Sequence, residues 1–479
     1  MRVVSKDEKG QENPFQATFE RLRARRWDVA RTSARERIAK LEKLRRAIVE
    51  RREAIYQALY ADFRKPAAEV ESSEILMVLG ELDHAIKHVE KWMKPRKVGT
   101  PVLLTGTRSE VRYEPKGVVL IISPWNYPFQ LCLSPLVAAV AAGNCALLKP
   151  SEKTPQTSAL IDQLVRDVFD PAEVTVVQGG AEVSQALLEL PFDHFFFTGG
   201  PRVGRKVMEA AAKHLAGVTL ELGGKSPAVV DATADVKAAA ERIAFGKFLN
   251  GGQTCVAPDY VYVHSSKEAE FLAQVRETLE RFYGKTEEAR KSTPDFCRMV
   301  DDAQFTRVNR LLERSVAEGV QVAAGGTVDA ASRYIAPTLL TEVKPDSPVM
   351  EEEIFGPLLP VLRYEQLDDV VRHIRAGTKP LAMYIFSRDS KAVDKLLSET
   401  SAGGTCVNTT VLHLGNTELP FGGIGESGVG NYHGEFGFRT FSHERAVLRQ
   451  GPLSFLHTFF PPYTEKARKM QRMAARLFE

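Results

Sequence analysis

Cysteine is scarce in this chain of 479 residues, and its five cysteines lie far apart: Cys132, Cys145, Cys255, Cys297 and Cys406. No two of them form a Cys-x-x-Cys pair. The odd number and the wide spacing argue against a disulfide framework and against a zinc site built from thiolates. We therefore expect no bound metal, and a reducing, cytoplasmic compartment.

A strong net charge and long apolar runs are also missing. The 64 basic and 61 acidic residues leave a net charge of only +3. This near balance argues against nucleic acid as the main partner, which would require a concentrated basic stripe. No stretch approaches the roughly 18 uncharged apolar residues that span a bilayer, and the charged residues 6–9 leave no apolar signal-peptide core at the N-terminus. The length predicts two or three globular domains.

Short, continuous apolar segments alternate with helical stretches in the second quarter of the chain. Segments of this form are typical of strands that are buried on both faces of a parallel sheet. They occupy residues 117–124, 145–150, 174–177 and 194–198. The alternation of strand and helix predicts a doubly wound α/β sheet.

The flanking segments predict further elements. Residues 17–90 carry Arg, Glu and Leu at helical spacing, which predicts helix after helix. Residues 101–113 alternate β-branched and polar side chains around Gly106, which predicts a hairpin. A second strand–helix series follows Glu221 and continues to about residue 408. We therefore expect two α/β domains with their boundary near Glu221.

Two peptides that contain glycine pairs carry residues suited to covalent catalysis. Cys255 follows the glycine pair at 251–252, and Glu221 lies two residues before another pair. A thiol nucleophile and a carboxylate base on separate loops can make a thioester and then hydrolyse it. A cysteine hydrolase is an alternative for Cys255 alone, but none of the ten histidines lies in a recognisable partner motif.

Further candidates lie where predicted strands give way to helices. The turn at 197–205 joins a strand to a helix expected over 206–215, and its glycines would let the backbone approach a pyrophosphate. The spacing is not Gly-x-Gly-x-x-Gly, so a purely structural turn is the alternative. Lys149 and Glu152 follow another strand, where open α/β sheets bind ligands. They would bind ribose or phosphate, unless they are solvated loop charges.

Two loops with a tight turn or flanking prolines complete the set of candidates. Asn126 lies within Pro-Trp-Asn-Tyr-Pro, where its amide and the Cys255 backbone N–H would stabilise an oxyanion. A turn cap is the alternative for Asn126. Glu353 begins a Glu-Ile-Phe-Gly-Pro turn, where it would hold a ribose while Phe355 presses on a nicotinamide. The alternative there is an acidic helix cap with a core phenylalanine.

As a set, these peptides resemble the aldehyde dehydrogenase superfamily, and they occur in that family's order. The motifs lie between about residues 120 and 430, and the coarse organisation extends the resemblance over nearly the whole chain. They are Pro-Trp-Asn-Tyr-Pro at 124–128, then 149–152, 197–199, 221–225, 252–255, 353–357 and the glycine-dense run 420–428. The class 3 branch fits best, because of residues 211–215, 255–260, 432–434 and 440–443.

The resemblance implies a Rossmann-type cofactor domain, an α/β catalytic domain and a small β oligomerisation element. The implied division is 1–94 with 118–220 for NAD(P) binding, 221–408 for catalysis, 95–117 with 409–445 for bridging, and 446–479 for a C-terminal tail. A homodimer is expected, with the predicted hairpin and residues after Asn408 at its interface.

The resemblance also implies a role for each candidate. Cys255 would be the nucleophile, Glu221 the general base, and Asn126 an oxyanion donor. NAD or NADP would be held by Lys149, Glu152, Gly199, Gly204, Glu353, Phe355 and Trp125. A thiohemiacetal on Cys255 would lose hydride to the nicotinamide, and the resulting thioester would be hydrolysed to the carboxylic acid. The implied substrates are medium- or long-chain aliphatic aldehydes or aromatic ones.

Two other functions remain as alternatives. A CoA-acylating relative would pass the acyl group to a thiol, a route that does not need the hydrolytic base Glu221. A catalytically silent binding protein would be marked by loss of Cys255 or Glu221, and both are present. One departure concerns the cofactor: many family members have Ser after the Phe-Thr-Gly turn, whereas here Gly200 and Pro201 remove that hydroxyl contact to the pyrophosphate.

The last segment alternates basic and apolar residues from 466 to 478. This pattern predicts an amphipathic helix with a basic face, which would make peripheral contact with an anionic membrane surface. The alternative that we favour is a helix that packs on the protein body or on a partner subunit.

Overall fold

The computed structural model describes residues 12–452 and 459–476. The charged N-terminal residues 6–9 and the end of the basic tail, from residue 477 on, lie outside the described residues. The expectations stated for those segments stay predictions.

Helices make up the N-terminal region and connect the strands of the sheets. In the described residues they are α1 (Gln16–Ala30), α2 (Ala34–Glu50), α3 (Arg52–Phe63), α4 (Ala67–Val70), α5 (Leu76–Trp92), α6 (Gln130–Ala142), α7 (Pro155–Val168), α8 (Ala181–Leu188), α9 (Pro201–Lys213), α10 (Val236–Phe248), α11 (Glu268–Tyr283), α12 (Glu287–Ser292), α13 (Asp302–Ala317), α14 (Leu367–Ala376), α15 (Ser390–Glu399), α16 (Gly434–Thr440) and α17 (Glu465–Ala475). The succession of helices predicted for 17–90 is confirmed as α1 to α5, with a π-helical turn at Glu71–Ile75.

The strands form two large sheets and two small ones within the described residues. They are β1 (Arg96–Val98), β2 (Thr107–Pro115), β3 (Val118–Ile122), β4 (Cys145–Lys149), β5 (Val174–Val176), β6 (His194–Thr198), β7 (Gly217–Glu221), β8 (Pro227–Val230), β9 (Tyr260–His264), β10 (Gln321–Ala324), β11 (Val328–Asp329), β12 (Tyr334–Ile335), β13 (Thr338–Thr341), β14 (Leu358–Tyr364), β15 (Ala382–Phe386), β16 (Gly404–Val407), β17 (Gly428–Val429) and β18 (Ser442–Gln450).

The first large sheet has the order β17-β7-β6-β3-β4-β5. Its neighbours are parallel except for β17, which pairs antiparallel with β7. Counted in chain order, the five parallel strands lie in the spatial order 3-2-1-4-5, which is that of a Rossmann dinucleotide-binding half. The order reverses between β3 and β6, and such sheets bind ligands at this point, beyond the carboxyl ends of the strands. The four predicted buried strands are confirmed as β3 to β6.

Alternate side chains of β3 enter two different cores, which explains why the strand is apolar throughout. Val119 and Ile121 pack in the core that includes α5 and α6. Val118 and Leu120 pack on the opposite face, in the core that α1 and α9 close. Because side chains alternate across a strand, a sheet covered on both faces requires a continuous apolar run rather than an alternating one.

The second large sheet has the order β10-β13-β14-β9-β8-β15-β16, and its neighbours are parallel except for β10. The chain leaves the first sheet at Glu221, the last residue of β7, and enters the second sheet at Pro227. Glu221 therefore lies at the point where the chain crosses from one sheet to the other.

The third sheet, β1-β2-β18, is antiparallel, and most of its residues are exposed or half-buried. It corrects the hairpin predicted for 101–113. Residues Val102–Leu104 form a 3-10 turn, and β2 pairs with β1 and, along its whole length, with β18. Local alternation carries no information about a partner more than 300 residues away. Strand β18 runs to Gln450, so it extends into the segment that we assigned to the C-terminal tail.

The predicted basic amphipathic helix is present as α17, Glu465–Ala475. Ala467 is buried, whereas Met473 is 69% exposed. Among the helices that the structure describes, none combines the length and the apolar character needed to cross a bilayer. Which surface α17 contacts in the cell stays a prediction.

Candidate active site

A cavity of ≈ 1040 Å³ lies at the carboxyl ends of β3, β6 and β7. Most of the predicted site residues line it: Trp125, Asn126, Gly199, Glu221, Cys255, Glu353 and Phe355. Lys149, Glu152 and Gly204 are not part of its lining. We call Asn126, Glu221, Cys255 and Glu353 the chemical centre. We call Lys149, Glu152 and the turn 199–202 the cofactor edge.

The loop that carries Cys255 begins with consecutive residues in the left-handed region. Asn250, Gly251 and Gly252 have φ values of 56°, 62° and 74°. A Cβ atom at Gly252 would lie 2.2 Å from the carbonyl oxygen of Gly356. The glycine pair is therefore required by backbone conformation and by close approach to the loop that follows Glu353.

Asn126 is joined to this loop by hydrogen bonds in both directions. Its Nδ2 donates to the carbonyl oxygen of Gln253 at 3.0 Å, and its own carbonyl oxygen accepts from Asn250 Nδ2 at 2.8 Å. A side-chain amide has two N–H groups, so the second one remains for an oxygen bound beside Cys255. The turn-cap alternative does not account for these contacts with a loop more than 120 residues away.

Glu221 ends β7 between two paired strands. Its partners in the ladders are Thr198 of β6 and Gly428 of β17. The carboxyl group is buried, and neither of its oxygens has a hydrogen-bond partner among the described residues. Desolvation therefore raises the pKa of Glu221 well above its usual value. A buried carboxyl group with a raised pKa in a cavity is typical of a catalytic acid or base.

The run 420–428 supports this strand. Ser427 accepts a hydrogen bond from the backbone N–H of Leu222 at 3.0 Å, through its carbonyl oxygen. A Cβ atom at Gly428, whose φ is 156°, would lie 2.4 Å from the Leu220 carbonyl oxygen. The glycines of this run therefore allow its backbone to lie against the strand that ends in Glu221.

Glu353 lies with the chemical centre rather than with Lys149 and Glu152. A Cβ atom at Gly223 would lie 2.1 Å from Glu353 Oε2, so only glycine permits this approach. Desolvation, and then the nearby Asp259 carboxylate, raise the pKa of Glu353 to about 8. The cavity therefore contains a second carboxyl group that is largely protonated at neutral pH.

A lysine that sequence reasoning assigned no role holds the Glu353 loop in place. Lys225 Nζ donates to Asp259 Oδ2 at 2.6 Å and to the Glu352 carbonyl oxygen at 2.8 Å. Asp259 Oδ1 in turn accepts from the Ile354 backbone N–H at 3.1 Å. Lys225 and Asp259 both occur in the quoted motifs, which was the available signal, but their pairing requires the tertiary structure.

The thiol of Cys255 has the same electrostatic surroundings as the two carboxyl groups. Desolvation, followed by the proximity of Glu353 and Glu221, raises the pKa of the Cys255 thiol to about 12. An unperturbed cysteine has a pKa of about 8.5. The Cys255 thiol is therefore largely protonated at neutral pH.

At the cofactor edge the charged residues are paired with each other, and the carboxylate is partly exposed. Lys149 ends β4, and its carbonyl oxygen accepts from the Ser123 backbone N–H at 3.1 Å, which fixes it beside the end of β3. Its Nζ donates to Glu152 Oε2 at 2.8 Å, and the Glu152 side chain is 46% exposed. Although partial desolvation opposes ionisation, the Lys149 ammonium holds the pKa of Glu152 below its usual value.

Helix α9 starts earlier than expected, at Pro201, so that Gly200 is its N-cap. A Cβ atom at Gly200 would meet nothing within 4 Å. The buried Thr198 hydroxyl, at the end of β6, has no hydrogen-bond partner among the described residues. A helix N-terminus that opens into free space beside an unpaired hydroxyl fits a pyrophosphate group. The residues present are therefore suited to a dinucleotide, even without the usual serine.

Gly204 is in close contact with the segment that follows β7. It lies one turn into α9, where a Cβ atom would be 2.8 Å from Leu222 Cδ2. This glycine lets the helix pack closely against the segment after β7, which sets the position of the helix N-terminus. Close packing accounts for this glycine, and its expected place near the pyrophosphate stays a prediction.

Trp125 and Phe355 form an aromatic wall of the cavity. Their ring centroids are 5.3 Å apart at an angle of 81°. Phe355 has a φ of 48°, a conformation rare for a bulky side chain, and the expected core position of this residue does not apply because it lines the cavity. The wall provides an apolar surface next to Cys255 and Glu353.

A buried ion pair behind the two catalytic loops was not anticipated from the sequence. Lys65 Nζ donates to Glu74 Oε1 at 2.7 Å, and both side chains are fully buried. The ammonium also lies 3.8 Å from the ring centroid of Tyr127, whose hydroxyl is 2.6 Å from Thr254 Oγ1. The pair therefore supports the residues that follow Asn126 and precede Cys255.

Fold and site together define a class of protein. A thiol, an unpaired buried carboxyl group and a side-chain amide share one cavity at the switch point of a Rossmann-ordered sheet. This combination suits an oxidoreductase that uses a nicotinamide dinucleotide and a cysteine. The model of the aldehyde dehydrogenase family matches residues 2–447, and the chain belongs to that family.

Curated relatives agree with the class 3 resemblance. The chain is 44% identical over 426 residues to 4,4′-diaponeurosporen-aldehyde dehydrogenase of Staphylococcus aureus (strain NCTC 8325 / PS 47), covering 89% of this chain and 92% of the relative. It is 42% identical over 465 residues to human aldehyde dehydrogenase family 3 member B1, covering 96% and 97%. The predicted similarity to class 3 is confirmed.

Solved structures agree with the α/β fold and with the cofactor. The substrate-bound state of Staphylococcus aureus AldH has a TM-score of 0.92 and 42% identity, and the match covers 96% of this chain and 99% of that one. The NAD⁺ complex of a Bacillus cereus aldehyde dehydrogenase has a TM-score of 0.83 and 27% identity, with 91% and 88% covered. An E. coli NADP-dependent enzyme has a TM-score of 0.83 and 26% identity, with 91% and 90% covered.

The protein is an NAD(P)-dependent aldehyde dehydrogenase, an oxidoreductase that acts on the aldehyde group. The predicted fold, reaction and cofactor class are confirmed.

Proposed function

We propose that Cys255, Glu221 and Asn126 carry out the oxidation of an aldehyde to its carboxylic acid. The Cys255 thiol loses its proton to solvent, and the sulfur adds to the aldehyde carbon as the C=O π bond opens, which gives the thiohemiacetal with its oxygen negatively charged. The remaining N–H of the Asn126 amide and the Cys255 backbone N–H donate to the oxygen that develops negative charge. The supporting observation is that Asn126 is fixed to the cysteine loop by the 3.0 Å hydrogen bond to Gln253.

The thiohemiacetal has no leaving group other than hydride, so the reaction needs an acceptor. The nicotinamide cofactor supplies this hydride acceptor when it is bound. In our proposal, Lys149 and Glu152 bind a ribose, and the turn 199–202 receives the pyrophosphate at the N-terminus of α9. Glu353 binds the second ribose, while Trp125 and Phe355 enclose the reacting end. Gly204 supports this grip through helix packing and makes no direct contact.

Glu221 completes the cycle as the general base. In its ionised form it takes a proton from a water molecule, the resulting hydroxide adds to the thioester carbon, and the bond from that carbon to the Cys255 sulfur breaks. Because its pKa is raised, the ionised Glu221 carboxylate is a stronger base than an exposed carboxylate. It therefore accepts a proton from water more readily. Because the ionised form is required, hydrolysis should accelerate as the pH rises.

We propose a preference for NAD over NADP. The ionised, half-exposed Glu152 carboxylate can accept from a free 2′-hydroxyl and repels a 2′-phosphate. The ammonium of Lys149 beside it reduces this repulsion. NADP is therefore expected to be used more weakly rather than rejected.

We propose that the substrates are apolar aldehydes, either medium- or long-chain aliphatic ones or aromatic ones. The support is the 44% identity to 4,4′-diaponeurosporen-aldehyde dehydrogenase, the similarity to family 3 members, and the aromatic wall that Trp125 and Phe355 form in the cavity.

A panel of aldehydes, assayed with NAD and with NADP and with or without coenzyme A, tests the proposal. We expect the highest kcat/KM with NAD and apolar aldehydes, and the free acid as product in the presence of coenzyme A. An acyl-CoA product would support the CoA-acylating alternative and refute the role of Glu221. No turnover with any aldehyde would support the silent alternative.

We further propose a cytoplasmic homodimer in which the β1-β2-β18 sheet contributes to the interface. Strands β1 and β18, which flank β2 in this sheet, are largely exposed, and the side chain of Leu448 in β18 is 52% exposed. The domain division that we propose keeps β18 whole: residues up to 94 with 118–220, residues 221–408, the bridging segments 95–117 and 409–450, and a tail after residue 450. The segment 409–450 also contains β17, which pairs with the first large sheet. The molecular mass in solution tests the dimer, and a monomeric mass would refute it.

A further inference from the structure

Two histidines one helical turn apart lie outside the lining of the active-site cavity. His84 and His88 both belong to α5, and their ring centroids are 4.3 Å apart. Residues separated by four positions share one face of a helix, and two imidazoles at this spacing are a recurrent pair of zinc ligands. Sequence reasoning excluded a metal site on the spacing of cysteines, and that argument does not apply to histidines.

The His88 ring is held in an orientation suited to metal binding. Its Nδ1 lies 2.9 Å from the carbonyl oxygen of His84. Because a carbonyl oxygen only accepts, Nδ1 carries the hydrogen, and the lone pair of Nε2 is left for an ion. Metal-binding histidines typically make a hydrogen bond of this kind on the nitrogen away from the metal. Trp92 lies against both rings, at 5.5 and 5.8 Å between centroids, and restricts their rotation.

A carboxylate from a distant part of the chain faces the pair. Glu418 Oε1 lies 3.8 Å from His84 Nε2, and one ligand atom from each of the three residues lies within 4.8 Å of the others. The Glu418 backbone N–H donates to Asn416 Oδ1 at 3.0 Å, which holds it in a turn. A Cβ atom at Gly434 would lie 2.2 Å from the Thr417 carbonyl oxygen and 3.1 Å from His84 Nε2. The turn is thus packed closely beside α5.

The separation of His84 and Glu418 fits an intervening ion. A distance of 3.8 Å is too long for a hydrogen bond. In tetrahedral zinc sites, with bonds of about 2.0–2.2 Å, neighbouring ligand atoms lie roughly 3.4 Å apart. The Glu418 side chain is 75% exposed, so it is free to move towards this separation from both histidines. Two imidazoles and one carboxylate are a donor set that suits zinc, cobalt and nickel rather than calcium or magnesium.

We propose that His84, His88 and Glu418 form a binding site for a divalent transition-metal ion, with water in the fourth position. The ion joins α5 to the turn at 416–419. That turn leads into the run 420–428, whose Gly428 pairs with Glu221. The ion therefore strengthens the support of the strand that ends in Glu221, and it takes no part in the chemistry at Cys255.

Isothermal titration calorimetry tests this site by measuring the stoichiometry and affinity with which the metal-stripped full chain binds Zn²⁺. Thiols also bind zinc, so the titration uses the Cys255→Ala background. We expect one saturable ion per chain, an affinity lower by about tenfold or more in His84→Ala and in His88→Ala, and a smaller loss in Glu418→Gln. His443→Ala, which removes an exposed histidine from β18, is the matched control and should bind as the parent does.

Thermal unfolding with and without Zn²⁺ gives a second, independent measurement. Because an ion that binds only the folded state stabilises it, the midpoint should rise with zinc in the parent and in His443→Ala. The rise should be absent in His84→Ala and in His88→Ala. Binding that survives both histidine substitutions unchanged, or no saturable binding at all, would overturn the proposal. Neither readout depends on turnover, so the proposed roles of Cys255 and Glu221 are tested separately.

Discussion

The pKa values of the carboxyl groups shift in opposite directions at the cofactor edge and at the chemical centre. At the cofactor edge, Glu152 is half-exposed, paired with Lys149 at 2.8 Å, and its pKa is held below the usual value. At the chemical centre, Glu221 is buried without a partner, and desolvation raises its pKa well above the usual value. The ribose-binding carboxylate that we propose at the cofactor edge is thus favoured in its charged form, whereas burial favours the neutral form of the proposed base.

Burial also favours the neutral form of Cys255, the proposed nucleophile. Desolvation first, and then Glu353 and Glu221, raise the pKa of the Cys255 thiol to about 12, and Glu353 itself has a pKa of about 8. In the described residues, no cation lies within hydrogen-bond distance of the Glu221 carboxylate. The Cys255 thiol is therefore largely protonated at neutral pH, and because the thiolate is the reactive form, this limits its reaction with electrophiles.

The largest effect is expected at the nucleophile. Cys255→Ala should lower kcat/KM by about 10⁴-fold or more, because the covalent route is lost. Binding of NAD, measured by quenching of tryptophan fluorescence, should be retained because the cofactor edge is unchanged. Cys132→Ala, at a buried cysteine in α6, is the matched control. Near-normal turnover by Cys255→Ala would show that the chemistry lies elsewhere.

Substitution of Glu221, the proposed base, should separate hydride transfer from hydrolysis of the thioester. Glu221→Gln should lower steady-state turnover by about 10²–10⁴-fold, because hydrolysis of the thioester loses its proton acceptor. The first turnover should remain, so that rapid mixing shows a burst of about one NADH per active site. Glu426→Gln, which changes an exposed carboxylate of the same cavity, should behave as the parent enzyme. Loss of the burst together with turnover would contradict a purely hydrolytic role.

Loss of Asn126, the proposed oxyanion donor, should lower activity less than loss of Cys255 or Glu221. Asn126→Ala should lower kcat by about 10²–10³-fold, the usual loss on removal of one such donor. The KM for NAD should change little, because Asn126 makes its contacts to the cysteine loop. Asn309→Ala, at a half-buried asparagine of α13, controls for loss of an amide. An effect confined to the KM for NAD would place Asn126 with the cofactor edge instead.

The smallest effect is expected at the cofactor edge. Glu152→Ala should raise the KM for NAD by roughly tenfold, the value of one charge-assisted hydrogen bond. The kcat should remain unchanged, and the relative use of NADP should increase because the repulsion of a 2′-phosphate is removed. Glu182→Gln, at another exposed carboxylate of the cofactor half, is the control. A large fall in kcat for Glu152→Ala would erase the distinction between the two regions.

The parts that sequence reasoning predicted correctly rest on local patterns. The strands β3 to β6 were predictable because burial on both faces requires continuous apolar runs. An earlier start of α9 was also readable, since Gly200 followed by Pro201 is an N-cap and first-turn pair. The helix begins at Pro201 rather than at the predicted residue 206, because proline is favoured in the first turn of a helix.

The parts that were missed depend on contacts between distant segments. Gly223 and Glu353 are 130 positions apart, and only the folded chain shows that the glycine is needed to admit the carboxyl group. The pairing of β2 with β18 and the buried pair of Lys65 and Glu74 likewise carry no periodic signal. The motifs predicted which residues belong to the site, while their protonation states follow from burial that the sequence does not display.

The pH dependence of Cys255 alkylation tests most directly whether the chemical centre is held neutral. Iodoacetamide reacts with the thiolate, so the rate in the cofactor-free enzyme follows the ionised fraction, which mass spectrometry of the Cys255 peptide reports. Below its pKa that fraction rises about tenfold per pH unit. We predict that the rate still increases steeply between pH 8 and 10, roughly the range in which an ordinary thiol of pKa about 8.5 levels off. A plateau at or below pH 8 would contradict the account.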